Sequence, residues 1–93
     1  MKIKDFKIGD FCYKIPDSEE VARYNPEGER VFIFNGVITG DGYGMLLGWH
    51  GGQIRKSTGF RNFMWGGDAR LATDEEIDEF MHKCNNQEKI YPY

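Results

Sequence analysis

The chain has few of the features that would assign it quickly. It has two cysteines, three prolines, two histidines and no excess of positive charge: 12 Lys and Arg stand against 15 Asp and Glu, a formal net charge of −3 over 93 residues. Two cysteines without C-x-x-C spacing make neither a disulfide framework nor a zinc ribbon, and Cys12 and Cys84 are expected to be free thiols. No run approaches the ~18 apolar residues needed to cross a bilayer, and no 7–15-residue apolar stretch follows Met1-Lys2-Ile3-Lys4-Asp5-Phe6-Lys7. The expectation is a soluble, cytoplasmic protein that uses no membrane. Three prolines and no repeated triplet rule out a collagenous or proline-rich segment.

Glycine and aromatics are abundant. Twelve glycines in 93 residues are nearly twice the usual ~7%, and 7 Phe, 5 Tyr and 2 Trp accompany them. A chain of this length forms one small domain that buries roughly 60–70% of its unfolded surface. Residues 1–86 are assigned to that domain and 87–93 to a C-terminal tail.

Strand patterns dominate. Phe11, Tyr13 and Ile15 alternate with Cys12 and Lys14, the period of a half-buried strand, and Pro16, with no N–H for a ladder, stops it. Asp17 to Glu29 is polar and reads as a long loop, with Asn25-Pro26-Glu27-Gly28 placed as a type I turn. Arg30 to Thr39 is apolar on both faces and reads as the central strand, where Gly36 marks a bend, a bulge or a close backbone approach. Asp41-Gly42, Gly51-Gly52 and Gly66-Gly67 are hairpin signals that separate Tyr43 to His50, Gln53 to Trp65 and Ala69 to Ala72. The expected fold is mainly β, a five- to six-stranded antiparallel SH3-like barrel or strongly curled sheet that hides its edges. One helix is predicted, over about 73–85. Thr73-Asp74-Glu75-Glu76 is a capping box, and Ile77, Phe80, Met81 and Cys84 form an apolar stripe facing the sheet, with Glu79 and Lys83 as an i,i+4 pair.

The Gly9-Asp10-Phe11 opening, the long loop before the second strand and Asn35-Gly36-Val37-Ile38 at the strand bend together resemble the small SH3-like barrels of Tudor, KOW and SH3 domains. The resemblance covers residues 8–72. It implies a fold and leaves function to the residues.

Charge is unevenly spread: residues 1–30 carry 6 basic and 7 acidic side chains, 31–72 carry 4 and 2, and 73–93 carry 2 and 6. The middle is mildly basic and the helix acidic. Arg55, Lys56, Arg61 and Arg70 interleave with Phe60, Phe63 and Trp65, a mixture suited to nucleic acid through phosphate neutralisation and base stacking. Net negative charge and only four clustered cations weigh against that reading. Arg and aromatic residues are equally the types that concentrate binding energy at protein interfaces. The leading expectation is therefore a non-enzymatic protein–protein interaction module with a partner-binding surface of Trp49, Arg55, Phe60, Arg61 and Trp65. Small acidic proteins of this size include many bacterial and phage inhibitors, which associates an accessory or inhibitory role with the chain. The alternatives are a nucleic-acid-binding barrel and a binder of a small phosphorylated ligand in a pocket of Trp49, His50, Arg55 and Trp65. No catalytic, cofactor or metal site is assigned. His50 has no nucleophile or paired carboxylate placed beside it, Gly51-Gly52 lacks the context of a phosphate loop, and His82 and Cys84 diverge around the helix. An exposed sheet edge would be a route to a homodimer.

Overall fold

The computed structural model describes residues 6–39, 42–50, 52–56 and 67–92. Six strands, β1 (Phe11–Pro16), β2 (Val31–Thr39), β3 (Gly42–His50), β4 (Gln53–Lys56), β5 (Gly67–Leu71) and β6 (Tyr91–Pro92), form one sheet. Its order is β5-β1-β2-β3-β4-β6. The short helix α1 (Glu19–Tyr24) lies between β1 and β2, and α2 (Asp74–Asn86) between β5 and β6. The mainly β class and the C-terminal helix are as the sequence predicts. The sheet curls without closing. Tyr43 on β3 donates its hydroxyl to Asp68 on β5 at 2.8 Å, although two strands separate them in the sheet order.

Two connections differ from a plain antiparallel meander. After β4 the chain returns to the far side of β1, where Cys12 faces Leu71 and Lys14 faces Ala69. β6 pairs with β4 in parallel, Arg55 opposite Tyr91. Neither is legible locally, because both depend on where the chain goes after leaving a strand. The expected strand Gln53 to Trp65 is observed over Gln53–Lys56; its remainder, with Asp41, Gly51 and Gly66 of the three hairpin signals, lies outside the described residues.

The polar stretch Asp17 to Glu29 is more structured than a loop. Ser18 caps α1 by accepting the Val21 N–H at 3.2 Å, Glu19 and Glu20 occupy the first turn, and Asn25-Pro26 ends the helix. The turn that follows is a 3₁₀ turn at Glu27–Glu29, closed by Glu29 N–H on the Pro26 carbonyl at 2.8 Å. It sits one residue later than the predicted type I turn.

β1 and β2 bury both faces. On one face Cys12, Phe32, Phe34, Tyr43, Met45 and Ala69 form a core to which Phe6 adds. On the other, Val31, Ile54 and Phe80 are buried, with Phe11, Tyr13, Ile33, Leu47, Trp49, Cys84 and Ile90 packed around them. Alternation along β1 therefore runs opposite to expectation: Cys12 and Lys14 are fully buried, and Ile15 is exposed. Gly36 meets the bulge reading: it has φ +93° and lies in the register shift between Phe34 and Ile38. The close approach is by a side chain and not by a backbone, since a Cβ there would meet Ile8 Cγ1 at 2.7 Å.

α2 has the expected capping box. The Thr73 hydroxyl accepts the Glu76 N–H at 3.2 Å, and Glu76 Oε1 accepts the Thr73 N–H at 2.8 Å. Its inward face is rotated from the predicted stripe. Phe80 is buried and Cys84 half-buried, whereas Met81 is 41% exposed. Lys83 and Gln87 complete the i, i+3, i+4, i+7 set with Phe80 and Cys84, and hydrophobicity alone hides them because both are polar. Burying Phe80 contributes roughly 2–3 kcal/mol, which makes it the anchor of the helix.

Candidate functional site

Arg70 on β5 meets Glu76 at the start of α2, and Gln87 just beyond α2 meets Ile54 on β4. The helix thus crosses the strands from β5 to β4. Beneath it, one row of the sheet carries Arg70, Tyr13, Val31, Trp49 and Ile54: Tyr13 faces both Arg70 and Val31, Trp49 faces Ile54, and Trp49 lies one residue beyond the Phe32–Gly48 pair. Two strand spacings of ~4.8 Å put the Tyr13 and Trp49 backbones about 10 Å apart.

Both aromatic residues are covered by cations. The Arg70 guanidinium lies 4.1 Å from the Tyr13 ring centroid and that of Arg30 lies 5.8 Å from it, while Lys83 Nζ sits 5.5 Å from the Trp49 ring. Such contacts are worth about 0.5–1 kcal/mol where exposed and more where water is excluded. The three cations are held differently. Arg70 forms a bidentate pair with Glu76 at 2.9 and 2.8 Å and also donates to the Leu71 carbonyl at 3.0 Å. The hydrogen-bonded Glu76 carboxylate raises the Arg70 pKa, and Arg70 in turn holds the Glu76 carboxyl below its ordinary range. Arg30 donates Nε to the Asn25 carbonyl at 2.8 Å and Nη1 to the Tyr13 hydroxyl at 3.4 Å. Among the described residues Lys83 makes long contacts, 3.4 Å to Glu79 and 3.4 Å to the Gly28 carbonyl. The result is a rim between α2 and the Pro26–Arg30 segment, in which Arg70 is fixed and Arg30 and Lys83 retain donor capacity.

Of the residues predicted for partner binding, Phe60, Arg61 and Trp65 lie outside the described residues. Trp49 belongs to the helix side of the sheet. Arg55, paired with Gly48 one position along the ladder, projects to the opposite face. The two are sequence neighbours across a hairpin, yet no single surface contains both side chains. Arg55 donates Nη2 to Gln53 at 3.1 Å, and its buried Nε has no hydrogen-bond partner among the described residues. Arg70, grouped by sequence with the free cations of a nucleic-acid surface, is committed to Glu76. The His50 side chain lies outside the described part.

Comparison with protein-family models, curated proteins and solved structures finds no match.

Sequence reasoning missed Tyr13, Arg30 and Lys83. Tyr13 reads as strand core, Arg30 as the first residue of the central strand and Lys83 as a helix-end charge, and they converge only because β1, the segment leading into β2, and α2 share one face. Among the described residues, no three His, Cys, Asp or Glu side chains come together to hold a metal. Cys12 and Cys84 are free and lie in cores on opposite sides of the sheet. Burial, with a smaller contribution from Asp10, pushes the Cys12 thiol up to about 12, which disfavours its thiolate. His82 is hydrogen-bonded to Asn86 at 2.9 Å. No described helix is long and apolar enough to cross a membrane.

Proposed function

We propose that the chain is a small non-enzymatic module that binds another protein, and that Trp49, Tyr13, Arg30 and Lys83 form the centre of the contact surface. The observation that carries this reading is the rim itself: Tyr, Trp and Arg, the residue types that dominate interface energetics, converge from three elements with two cations still able to donate. The rim is also pre-organised. Arg70 is locked to Glu76 and Arg30 to the Asn25 carbonyl, so little side-chain freedom is left to lose on binding. Nucleic acid is a weaker match at the rim, because the Tyr13 and Trp49 rings are already covered by intramolecular cations.

The test is capture of partners from the native host by the wild-type chain and by an Arg30→Ala/Lys83→Ala variant, followed by reconstitution with the purified partner. The expected result is a partner whose affinity falls at least tenfold with the double variant while that variant remains folded. Equal affinity for both chains would refute the surface. A gel shift that weakens steeply with salt would replace this reading with a nucleic-acid one, and thermal stabilisation by nucleotides would point to a phosphorylated ligand.

A further inference from the structure

β4 is four residues long, and among the described residues only the two-residue β6 pairs with its outer edge. Gln87, one residue past α2, lays its carboxamide against Ile54. The Ile54 N–H donates to Oε1 at 2.9 Å, and Nε2 donates back to the Ile54 carbonyl at 2.8 Å. These are the two hydrogen bonds that a neighbouring strand would supply to Ile54. The same Nε2 donates to the Lys89 carbonyl at 2.7 Å, which ties the tail to the plug. β6 then adds a parallel ladder of two residues, and one of them, Pro92, has no N–H to give. Ile90 packs against the cluster around Phe80. A side-chain imitation of a strand, a two-residue ladder and one apolar contact thus cover the edge.

We propose that the β4 edge is a strand-acceptor site, filled in cis by Gln87–Pro92 and in trans by an extended segment of a partner protein. That segment runs parallel to β4 and carries a carboxamide side chain three residues before a branched apolar one. Its chemistry follows from the interface already present: the carboxamide takes both backbone groups of Ile54, the apolar residue takes the seat of Ile90, and the backbone beyond it pairs opposite Arg55 and Lys56. Strand addition is a recurring mode of peptide recognition. The tethered tail competes at an effective concentration in the millimolar range, so it sets the threshold for any incoming strand. That the natural occupant is a protein rests on the interaction-module reading above.

The tail supplies its own probe, a fluorescent peptide of residues 85–93. Full-length chain carrying Gln87→Ala and Ile90→Ala is expected to bind this peptide at least tenfold more tightly than wild type, and a peptide with the same two alanines is expected to bind neither. A folded double variant that binds the peptide no better than wild type would overturn the proposal. Wild-type hydrogen exchange provides a second check that needs no variant. The Ile54 amide is expected to exchange at least a hundredfold faster than the Phe32 amide, through release of the tail, and equal rates would mean that the edge opens only on global unfolding and would likewise overturn it. Partner capture that depends on Arg30 and Lys83 while the peptide fails to bind removes the acceptor and leaves the module; the converse result removes the rim and keeps the acceptor.

Discussion

Lys14 carries an amine with no solvent exposure, on the face of β1 that also holds Cys12. Its Nζ donates to Asn25 Oδ1 at 3.3 Å, and Asn25 in turn donates to the Val21 carbonyl at 3.1 Å, so the lysine fastens α1 to the sheet. Burial pulls its pKa from 10.5 down to about 7, against a smaller opposing pull from Glu29. The folded value lies below the unfolded one, so between pH 7 and 10.5 the unfolded chain holds more protons, and stability must rise with pH. At 1.36 kcal/mol per pKa unit, burying the amine costs roughly 5 kcal/mol at pH 6, where it stays charged, and roughly 3 kcal/mol at pH 8.5, where it has given up its proton, a gain of about 2 kcal/mol across that interval. Lys14→Met removes the charge and also orphans one acceptor on Asn25, at a cost of about 1–3 kcal/mol. The variant is therefore expected to be more stable than wild type at pH 6 by about 2–4 kcal/mol, with the advantage shrinking by about 2 kcal/mol by pH 8.5. Urea titrations followed by tryptophan fluorescence across this range measure both quantities. Taking the difference between the two proteins cancels other groups, including Cys12 and Tyr43, whose thiol and hydroxyl are pushed up to about 12 and erode stability at still higher pH. Parallel pH profiles for the two proteins would refute the reasoning, and so would a variant that is less stable at pH 6.

Three further outcomes are expected. Phe80→Ala should lower stability by about 3–5 kcal/mol while Met81→Ala changes it by less than ~0.5 kcal/mol; similar melting temperatures for the two variants would mean that α2 docks by a different face. Glu76→Gln, which weakens both the capping box and the Arg70 fork, should cost about 1 kcal/mol at pH 7. Because the folded Glu76 pKa is lowered, that difference should persist above the ordinary carboxylate range and vanish as acid titrates the folded carboxyl, and a difference independent of pH in thermal denaturation would contradict the assignment. In native protein, iodoacetamide should label Cys84 well before Cys12, because Cys12 is fully buried and its thiolate strongly disfavoured; equal labelling rates read by mass spectrometry would refute that burial.

The elements that sequence predicts well are those built from local chemistry. Thr73 and Glu76 stand three residues apart and specify a helix start, Gly36 announces the bulge in β2, and the apolar run after Arg30 is a strand that packs on both faces over Val31 to Phe34, while Val37 and Ile38 are exposed. The misreadings arise where distant parts of the chain decide. Alternation along β1 marks two faces but not which is deeper, and Lys14 goes inside because Asn25 waits there with an acceptor. Met81 looks like core in a helical pattern, but the face is chosen by what Trp49, Ile54 and Gly28 offer, and they select Lys83 and Gln87. Trp49 and Arg55 are six residues apart on paired strands, and a one-position offset in the ladder sends them to opposite sides. The Tyr13–Arg30–Arg70 grouping spans 57 residues and had no short-range signature.

The pairing of β1 with β5 also governs the order in which the molecule can be assembled. Cys12 and Leu71 lie 59 residues apart along the chain. The β2–β3 and β3–β4 pairs join neighbours in sequence and can form early, but β1 keeps one open edge until a loop of that length closes, and such long-range pairing slows folding. During synthesis the open edge and the Cys12–Phe32 core behind it wait for the last third of the chain. Changes to Gly67–Leu71 should therefore act first on folding yield and aggregation, before they register in the stability of molecules that complete the sheet.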